Sequence, residues 1–259
     1  MTKETAHYQA GTKPRRILLL GGTGDSRELA EHLASRDDVE VISSLAGRTE
    51  QPASLPGGLR VGGFGGVTAL ADYLTREGID LVVDATHPYA ARISANAAAA
   101  CRDSGTPRLH LARPPWRATA GDRWIHVADT KAAAEALPGL AERVFLAVGR
   151  GELDAFAGLP GIWFLVRTVD SPREKLPLER YEVVLGRGPF EVNGERALFA
   201  LHGIQALVTK NSGGEATYAK IAVARELGLP VIMIDRPPHE AEETVGTVEE
   251  ALRWIEGRL

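Results

Sequence analysis

The sequence contains a single cysteine, Cys101, among its 259 residues. An intrachain disulfide and a cysteine-based zinc site are therefore both excluded. No apolar run approaches the length of a transmembrane helix, and no apolar segment follows the N-terminal lysines as it would in a signal peptide. Basic charge is not in excess either, since the formal net charge is −4, which argues against a nucleic-acid-binding protein. We therefore expect a cytoplasmic protein that binds neither membranes nor nucleic acid.

What the sequence does contain is a regular alternation of short apolar segments with helical segments, which is typical of a mainly parallel sheet. We predict an α/β fold with two Rossmann-like halves, mainly parallel sheets and a cleft between them. A loose tail is placed at 1–14, an N-terminal half at 15–120 and a C-terminal half at 121–259. The Arg-Pro-Pro-Trp segment at 113–116 interrupts the alternation and is predicted to cross between the halves. Ligands of such folds bind outside the carboxyl ends of the strands.

The first turn of the chain has the composition of a dinucleotide-binding turn. A nearly continuous apolar strand at 16–20 leads into Gly21, Gly22, Thr23, Gly24 and Asp25, and a helix follows. Glycine allows the backbone to approach a diphosphate, and the start of the helix offers free N–H groups with a positive dipole end. We assign these five residues to cofactor binding, although the third glycine of the G-x-G-x-x-G pattern falls at Arg27.

The end of the second predicted strand indicates which dinucleotide is bound. NAD-selective folds place an acid there to hold the ribose hydroxyls. This chain has Ser43, Ser44 and then Arg48, with no acid before Glu50. Hydroxyl groups and an arginine suit a ribose phosphate, so we predict NADPH as the cofactor, with Ser43 and Arg48 as ligands. Arg48 could equally be a solvated loop cation.

A polar cluster follows the fourth strand, where a nicotinamide and a substrate would meet. It contains Thr86, His87 and Tyr89, with Pro88 suited to the first turn of a helix. We assign Thr86 to the cofactor and His87 to the substrate. The alternative for Thr86 and His87 is a helix cap without any contact to a ligand.

A second glycine-bearing turn connects a strand at 205–209 to a helix predicted over 214–228. We assign Lys210, Ser212, Gly213 and Gly214 to substrate binding, since the glycines would allow an anion to approach the helix start. The alternative is a glycine-bearing loop with a capping serine.

Three arginines at predicted strand ends would line one rim of the cleft. Arg150, Arg167 and Arg187 each lie at or just after the end of a strand of the second half. Guanidinium groups favour carboxylates, so we predict that these arginines bind an acidic substrate. Each of them taken alone could be a surface cation.

Several of these segments together resemble the precorrin-6A reductase family of cobalamin biosynthesis. The matching segments begin at Leu20 (Leu-Gly-Gly-Thr-Gly), Val83 (Val-Asp-Ala-Thr-His-Pro-Tyr-Ala), Arg113 (Arg-Pro-Pro-Trp), Val148 (Val-Gly-Arg), Gly188 (Gly-Pro-Phe) and Thr209 (Thr-Lys-Asn-Ser-Gly-Gly). The resemblance implies NADPH-dependent reduction of a ring double bond of precorrin-6A to give precorrin-6B, with the tetrapyrrole held between two Rossmann-like halves. It also places Arg113 among the candidates for binding the substrate.

The reaction we expect is hydride transfer from the nicotinamide to an electron-poor carbon of the ring, followed by protonation of its neighbour. If a side chain delivers that proton, the candidates are His87, Tyr89 and Ser212. The seven histidines show no metal-ligand spacing, so we expect no metal. The sequence does not distinguish a metal-free from a cobalt-containing substrate. It also leaves the oligomeric state open, a monomer included.

Two other functions are compatible with a dinucleotide-binding turn. The first is another NADP-dependent reductase of small molecules. A short-chain dehydrogenase is disfavoured within that group, because no tyrosine has a lysine four positions later; Tyr218 and Lys220 are two apart. The second is a redox-sensing module that binds NADPH without turnover, for which the cationic groups of the second half would have no purpose.

Overall fold

In the computed structural model, residues 13–47, 55–238 and 243–259 are described. They form two six-stranded sheets in which every pair of neighbouring strands is parallel. The predicted fold class, two parallel-sheet α/β halves, is therefore confirmed. None of the described helices is both long and apolar enough to span a membrane.

The elements follow one another in the predicted alternation. The first part of the chain forms β1 (Arg15–Leu20), α1 (Gly24–Ala34), β2 (Val39–Leu45), β3 (Gly58–Val61), α2 (Val67–Arg76), β4 (Leu81–Asp84), α3 (Ala91–Ser104) and β5 (Arg108–Leu111). The second part forms β6 (Arg123–Val127), α4 (Thr130–Glu135), β7 (Arg143–Ala147), a 3₁₀ helix (Arg150–Phe156), β8 (Trp163–Thr168), β9 (Tyr181–Leu185), α5 (Val192–His202), β10 (Ala206–Lys210), α6 (Ala219–Glu226), β11 (Pro230–Ile234), β12 (Thr244–Val245) and α7 (Val248–Glu256).

Both sheets have the strand order of a dinucleotide-binding fold. The first is β3-β2-β1-β4-β5-β12 and the second is β9-β8-β7-β10-β11-β6. Each corresponds to the order 3-2-1-4-5-6, in which the direction of winding reverses between the first and fourth strands. That reversal lies between β1 and β4 in the first sheet and between β7 and β10 in the second. A crevice at the carboxyl ends of these strands is where such folds bind ligands.

The C-terminal segment belongs to the first sheet, contrary to its assignment to the half at 121–259. Strand β12 pairs with β5, and α7 places Val248, Ala251 and Ile255 in the same buried cluster as Ile17 and Leu19. The spacing of the three α7 residues puts them on one helix face. Residues 243–259 therefore complete the N-terminal half, and β6 occupies the corresponding edge position of the other sheet.

Apolar residues on both faces of the sheets explain the near-continuous apolar strands. In β1, Ile17 and Leu19 pack towards α1 and α7, whereas Leu18 and Leu20 pack towards α2 and α3. All four are at most 1% exposed. Successive side chains of a strand point to opposite faces, so a sheet covered by helices on both sides requires apolar residues at every position.

Candidate active site

The glycine turn after β1 has open space in front of it. Thr23 is the N-cap of α1 and forms a capping box with Ser26, each side chain accepting a hydrogen bond from the backbone N–H of the other. Gly22 has φ +117°, and a Cβ at Gly22 or Gly24 would meet no heavy atom within 4 Å. The first N–H groups of a helix have no partner within the helix. The turn therefore has the opening and the free N–H groups that a diphosphate requires.

Two other predicted members of this turn have contacts within the protein. Gly21 is close to Ser26, since a Cβ at Gly21 would lie 3.1 Å from the Ser26 hydroxyl oxygen. The carboxylate of Asp25 lies 3.4 Å from Nε of Arg113, which belongs to the crossing segment. Asp25 therefore links the start of α1 to the segment that joins the halves.

At the end of β2 the two serines differ. Ser43 is fully buried, and its hydroxyl has no hydrogen-bond partner, so it does not reach the surface where a ribose would lie. The Ser44 hydroxyl lies 3.5 Å from a guanidinium nitrogen of Arg60. The prediction that Ser43 binds the cofactor is therefore wrong. Alternate residues of a strand point to opposite faces, and the Ser43 side chain points into the interior. Arg48 lies outside the described residues.

Arg60 is a residue that sequence reasoning missed. Its guanidinium donates to the carbonyls of Gly62 and Gly63, at 2.5 and 2.8 Å, and stacks 3.7 Å from the ring centre of Phe64. These contacts hold a cation beside the ends of β2 and β3. The glycine-rich run at 61–66 that follows Arg60 was the available signal.

After β4, Thr86 belongs to a buried polar network. Its hydroxyl donates to the Asp84 carboxylate at 2.7 Å and lies 3.2 Å from the Ser94 hydroxyl. Asp84 is fully buried and forms an ion pair with Arg108. Helix α3 begins only at Ala91 and has no side-chain cap. The capping alternative for Thr86 and His87 is therefore wrong, and the hydroxyl of Thr86 is used within the protein.

His87 and Ser212 meet across the cleft. Nε2 of His87 lies 3.2 Å from the Ser212 hydroxyl, and the backbone N–H of Tyr89 donates to Nδ1 of His87 at 3.3 Å. Because Nδ1 accepts, a neutral ring carries its proton on Nε2 and donates it to Ser212. The two residues follow β4 and β10, one at each reversal of strand order.

The surroundings of His87 are positively charged. Burial is the main cause that lowers the pKa of His87 to about 3. Nearby cations lower it further; these are Lys210, Arg113, Arg236 and Lys220. The imidazole is therefore neutral at physiological pH, and the field around it favours anions.

Tyr89 connects the two halves through its hydroxyl. The hydroxyl donates to the carbonyl of Ile234 and accepts from the N–H of Asn211 at 2.8 Å. Burial raises the pKa of Tyr89 to about 12. The phenolic proton is thus hydrogen-bonded to a carbonyl and difficult to remove. Both features indicate a structural role for Tyr89.

Gly213 and Gly214 accommodate the crossing segment. A Cβ at Gly213 would lie 2.2 Å from the carbonyl oxygen of Pro114, and one at Gly214 would lie 2.7 Å from Cδ of Arg113. Both glycines have φ near +70°. Helix α6 begins at Ala219, so the predicted approach of an anion to a helix start at Gly214 is wrong.

Asn211 fastens the same loop to the crossing segment. Its side-chain amide accepts from the backbone N–H of Trp116 at 2.8 Å and donates to the carbonyl of Trp116 at 3.1 Å. Arg236 donates to the carbonyls of Asn211 and Arg113, both at 2.7 Å. The Trp116 indole N–H donates to Gly214 at 2.8 Å. The loop bearing Ser212 is therefore held by hydrogen bonds at several points.

The predicted cations have different environments. Lys210 forms an ion pair with Glu152 at 2.5 Å. Arg167 is largely buried, and two of its guanidinium nitrogens bind the buried carboxylate of Glu195. This pairing indicates a structural role for Arg167 rather than a place on the rim. Arg150 and Arg187 are exposed at the carboxyl ends of β7 and β9.

Lys220 is a buried lysine of α6. Its Nζ donates to the carbonyl of Thr217 at 2.6 Å and lies 5.0 Å from the ring centre of Trp116. Burial lowers the pKa of Lys220 to about 7.

Within the described part of the chain, no three His, Cys, Asp or Glu side chains are grouped so as to hold a metal ion.

Comparisons with known proteins identify the relatives of the chain. Residues 16–256 match the family described as precorrin-6x reductase CbiJ/CobK. Precorrin-6A reductases of Rhodobacter capsulatus and Rhodococcus erythropolis are 48% and 49% identical to it, over 93% of this chain and 95% and 97% of theirs. A cobalt-precorrin-6A reductase of Priestia megaterium is 30% identical, over 92% of this chain and 97% of its own. A solved structure of CobK precorrin-6A reductase superposes with a TM-score of 0.90 at 47% identity, covering 94% of this chain and 97% of that one.

Proposed function

Because the chain belongs to the precorrin-6x reductase CbiJ/CobK family, we propose that it uses NADPH to reduce a ring double bond of precorrin-6A, giving precorrin-6B. It is an oxidoreductase of cobalamin biosynthesis that acts on a CH–CH group. The observation that carries the proposal is the His87–Ser212 contact in a cationic field beside an open glycine turn.

The residues of the first turn fit a dinucleotide. The space in front of Gly22 and Gly24 is the space that a Cβ would occupy, and a diphosphate needs a bare backbone there. The N–H groups of Gly24 and Asp25 lie in the first turn of α1, where the helix dipole favours anions. When bound, NADPH would supply the hydride; the chain supplies binding and orientation.

The charge of the cleft supports an acidic substrate. The cations that surround His87 come from the crossing segment and the second half: Arg113 lies in the crossing segment, Lys210 ends β10 and Arg236 follows β11. Carboxylate side chains of a precorrin would be bound by such groups. We assign substrate binding to Arg113, Lys210 and Arg187. Lys210 would bind the substrate either by leaving Glu152 or by contacting both carboxylates at once.

The metal-free substrate is the one we propose. The relatives named for precorrin-6A are 48% and 49% identical to this chain, while the relative named for the cobalt form is 30% identical. All three cover more than nine-tenths of both chains, so the difference does not arise from partial alignment.

Ser212 is the group that presents a proton to the substrate. In the neutral state of His87, Nε2–H donates to the Ser212 hydroxyl oxygen, which leaves the hydroxyl hydrogen of Ser212 free to point into the cleft. His87 orients this hydroxyl and stabilises the negative charge that develops on its oxygen as the proton passes to the ring carbon, and solvent then returns a proton to that oxygen. We do not assign proton donation to Tyr89, because its hydroxyl is engaged by Ile234 and Asn211.

Gly24→Leu tests the use of the first turn. The side chain would enter open space, so the fold should be retained, but it would occupy the place of the diphosphate. We expect NADPH affinity to fall about tenfold or more. Gly194→Leu is the matched control, since Gly194 lies in α5 and its Cβ would also meet no atom within 4 Å.

Turnover is measured as the loss of nicotinamide absorbance when the protein is mixed with NADPH and precorrin-6A. The expected result is normal oxidation by the wild type and the Gly194→Leu control, and oxidation by Gly24→Leu that requires a correspondingly higher NADPH concentration. Equal NADPH affinity in both variants would contradict the assignment of the turn. NADPH binding by the wild type without oxidation would instead indicate a sensor.

A further inference from the structure

Arg236 lies between the crossing segment and the loop that bears Ser212. Its Nε donates to the carbonyl of Asn211 and its Nη1 to the carbonyl of Arg113, both at 2.7 Å. The third guanidinium nitrogen, Nη2, is buried and has no hydrogen-bond partner among the described residues. Two nitrogens are thus bonded within the protein and the third is shielded from solvent. This arrangement favours a role through neighbouring groups over direct contact with a ligand.

The backbone around Arg236 restricts where its side chain can lie. Strand β11 ends two residues before it, and the N–H of Asp235 donates at 2.8 Å to the carbonyl of Val127, the last residue of β6. Pro237 and Pro238 follow. A proline has a fixed φ and limits the residue before it to extended conformations. The guanidinium of Arg236 therefore extends from a stiff segment at the carboxyl edge of the second sheet.

The carbonyl bound by Nε belongs to the peptide group that leads into Ser212. The N–H of the same peptide group donates to the carbonyl of Lys210 at 2.8 Å. Because a peptide group is planar, bonds to both its C=O and its N–H fix its orientation, and with it the position of the Ser212 Cα. Only rotation about the Cα–Cβ bond of Ser212 is then left, and the contact of its hydroxyl with Nε2 of His87 at 3.2 Å restricts that rotation.

The second bonded carbonyl connects this loop to the crossing segment. A Cβ at Gly213 would lie 2.6 Å from Nη2 of Arg236 and 2.2 Å from the carbonyl oxygen of Pro114, so the loop, the guanidinium and the crossing segment meet at one point. A guanidinium is planar and its donors have a fixed geometry. Hydrogen bonds from a charged donor are also stronger than neutral ones. The two carbonyls are therefore held at a fixed separation.

We infer that Arg236 is a positioning residue of the reaction, whose guanidinium fixes the Ser212 hydroxyl relative to the substrate-binding cation Arg113. The inference rests on the proposed function, in which Ser212 presents the proton, and extends it. The proton donor and the cation then keep one spacing towards the bound ring. A displacement of about 1 Å in such a group can cost about 100-fold in rate.

Steady-state oxidation of NADPH with precorrin-6A tests the inference in Arg236→Lys and Arg236→Ala, each alone and combined with Ser212→Ala. Lysine keeps the charge but lacks the planar fork that bonds both carbonyls. We expect each substitution to lower kcat about tenfold or more in the wild-type background. In the Ser212→Ala background the loss should be about twofold at most, because the group that Arg236 positions is already absent. The KM for NADPH should not change.

Arg143→Lys and Arg143→Ala are the matched controls. Arg143 is also a half-buried arginine of the second half, and its Nε donates to the backbone carbonyl of His202 at 2.6 Å. It begins β7 and therefore lies at the edge of the sheet opposite to Ser212. Both controls should keep the wild-type kcat. Unfolding in urea verifies that each variant is folded; if Arg236→Ala is not, Arg236→Lys decides by the same comparison.

Equal losses of kcat in the wild-type and Ser212→Ala backgrounds would overturn the inference, because Arg236 would then serve the structure alone. An unchanged kcat would also overturn it, and a raised KM for precorrin-6A in that case would make Arg236 a substrate ligand.

Failure of the proposed function appears in proteins that retain Arg236, and so is distinguishable from failure of the inference. If the wild type does not oxidise NADPH with precorrin-6A, the proposed function fails. If Ser212→Ala alone turns over normally, the proposed proton donor fails, and the inference with it.

Discussion

Nε2 of His87 lies 3.2 Å from the hydroxyl of Ser212, although 125 positions of sequence separate the two residues. His87 follows the fourth strand of one sheet and Ser212 follows β10, the strand that takes the fourth place in the other. The hydrogen bond therefore joins the points at which two similar folds would each bind a ligand. A pair assembled in this way depends on both halves being present and correctly opposed.

We predict that Ser212→Ala and His87→Gln each lower kcat by about 100-fold, in the range of a lost general acid. NADPH affinity should change little, because neither residue is part of the glycine turn. The double variant should lose little more than Ser212→Ala, since His87 acts through Ser212. Single-turnover NADPH oxidation measures the step. Near-normal turnover in both single variants would remove the pair from the mechanism.

Tyr89→Phe should affect stability more than turnover. Its hydroxyl is bonded to the carbonyl of Ile234 and the N–H of Asn211, and both would lose a partner. We expect the free energy of unfolding to fall by about 1–3 kcal/mol in urea titrations. The pH profile of turnover should keep its shape. A loss of kcat as large as that of Ser212→Ala, without any loss of stability, would restore Tyr89 as the proton donor.

Gly213→Ala should be more harmful than a glycine substitution elsewhere with similar backbone angles. The new Cβ would lie 2.2 Å from the Pro114 carbonyl, so the crossing segment would have to move. Gly228→Ala is the control, because Gly228 has φ +62° and open space around it. The control should lose about 1–2 kcal/mol from the left-handed conformation alone. Equal losses in unfolding experiments would show that the contact with Pro114 is unimportant.

Lys220 should make stability depend on pH in the alkaline range. Its pKa is lowered from 10.5 to about 7 by burial, so the folded protein favours the neutral amine. The stability of the folded protein is therefore highest above pH 10.5, where the amine is neutral in both the folded and the unfolded state. It falls as the pH is lowered from 10.5 towards 7, because the unfolded chain then binds a proton that the folded protein does not. Between pH 7 and 9 the wild type should gain about 2 kcal/mol relative to Lys220→Met. If the free energies of unfolding of the two proteins, measured in urea, depend on pH to the same extent across this range, the shift is contradicted.

The architecture and the first turn were predictable from sequence because their signals are local. The apolar strand at 16–20 and the glycines after it fall within ten residues, and the structure places them as expected. His87 and Ser212 were each singled out by their local surroundings. Their contact was not predictable, since it depends on how the two sheets are opposed.

The remaining differences have physical causes that a single sequence does not display. A strand of two residues, β12, has no periodicity to detect, so residues 243–259 were assigned to the wrong sheet. Gly213 looked like part of an anion site because close approach of a backbone and close approach of a ligand require the same residue. Ser43 and Ser44 are adjacent in sequence and both are buried, but only the structure reveals that the Ser44 hydroxyl lies beside Arg60 while that of Ser43 has no partner.

The return of the C-terminal segment to the first sheet means that no single cut divides this protein into two complete units. A fragment ending near residue 120 would lack the edge strand β12 and would leave uncovered the apolar surface on which α7 packs. The other fragment would carry β12 and α7 without a sheet to receive them. The order of assembly follows from the same fact: the first sheet cannot be completed until residues 243–259 have been synthesised.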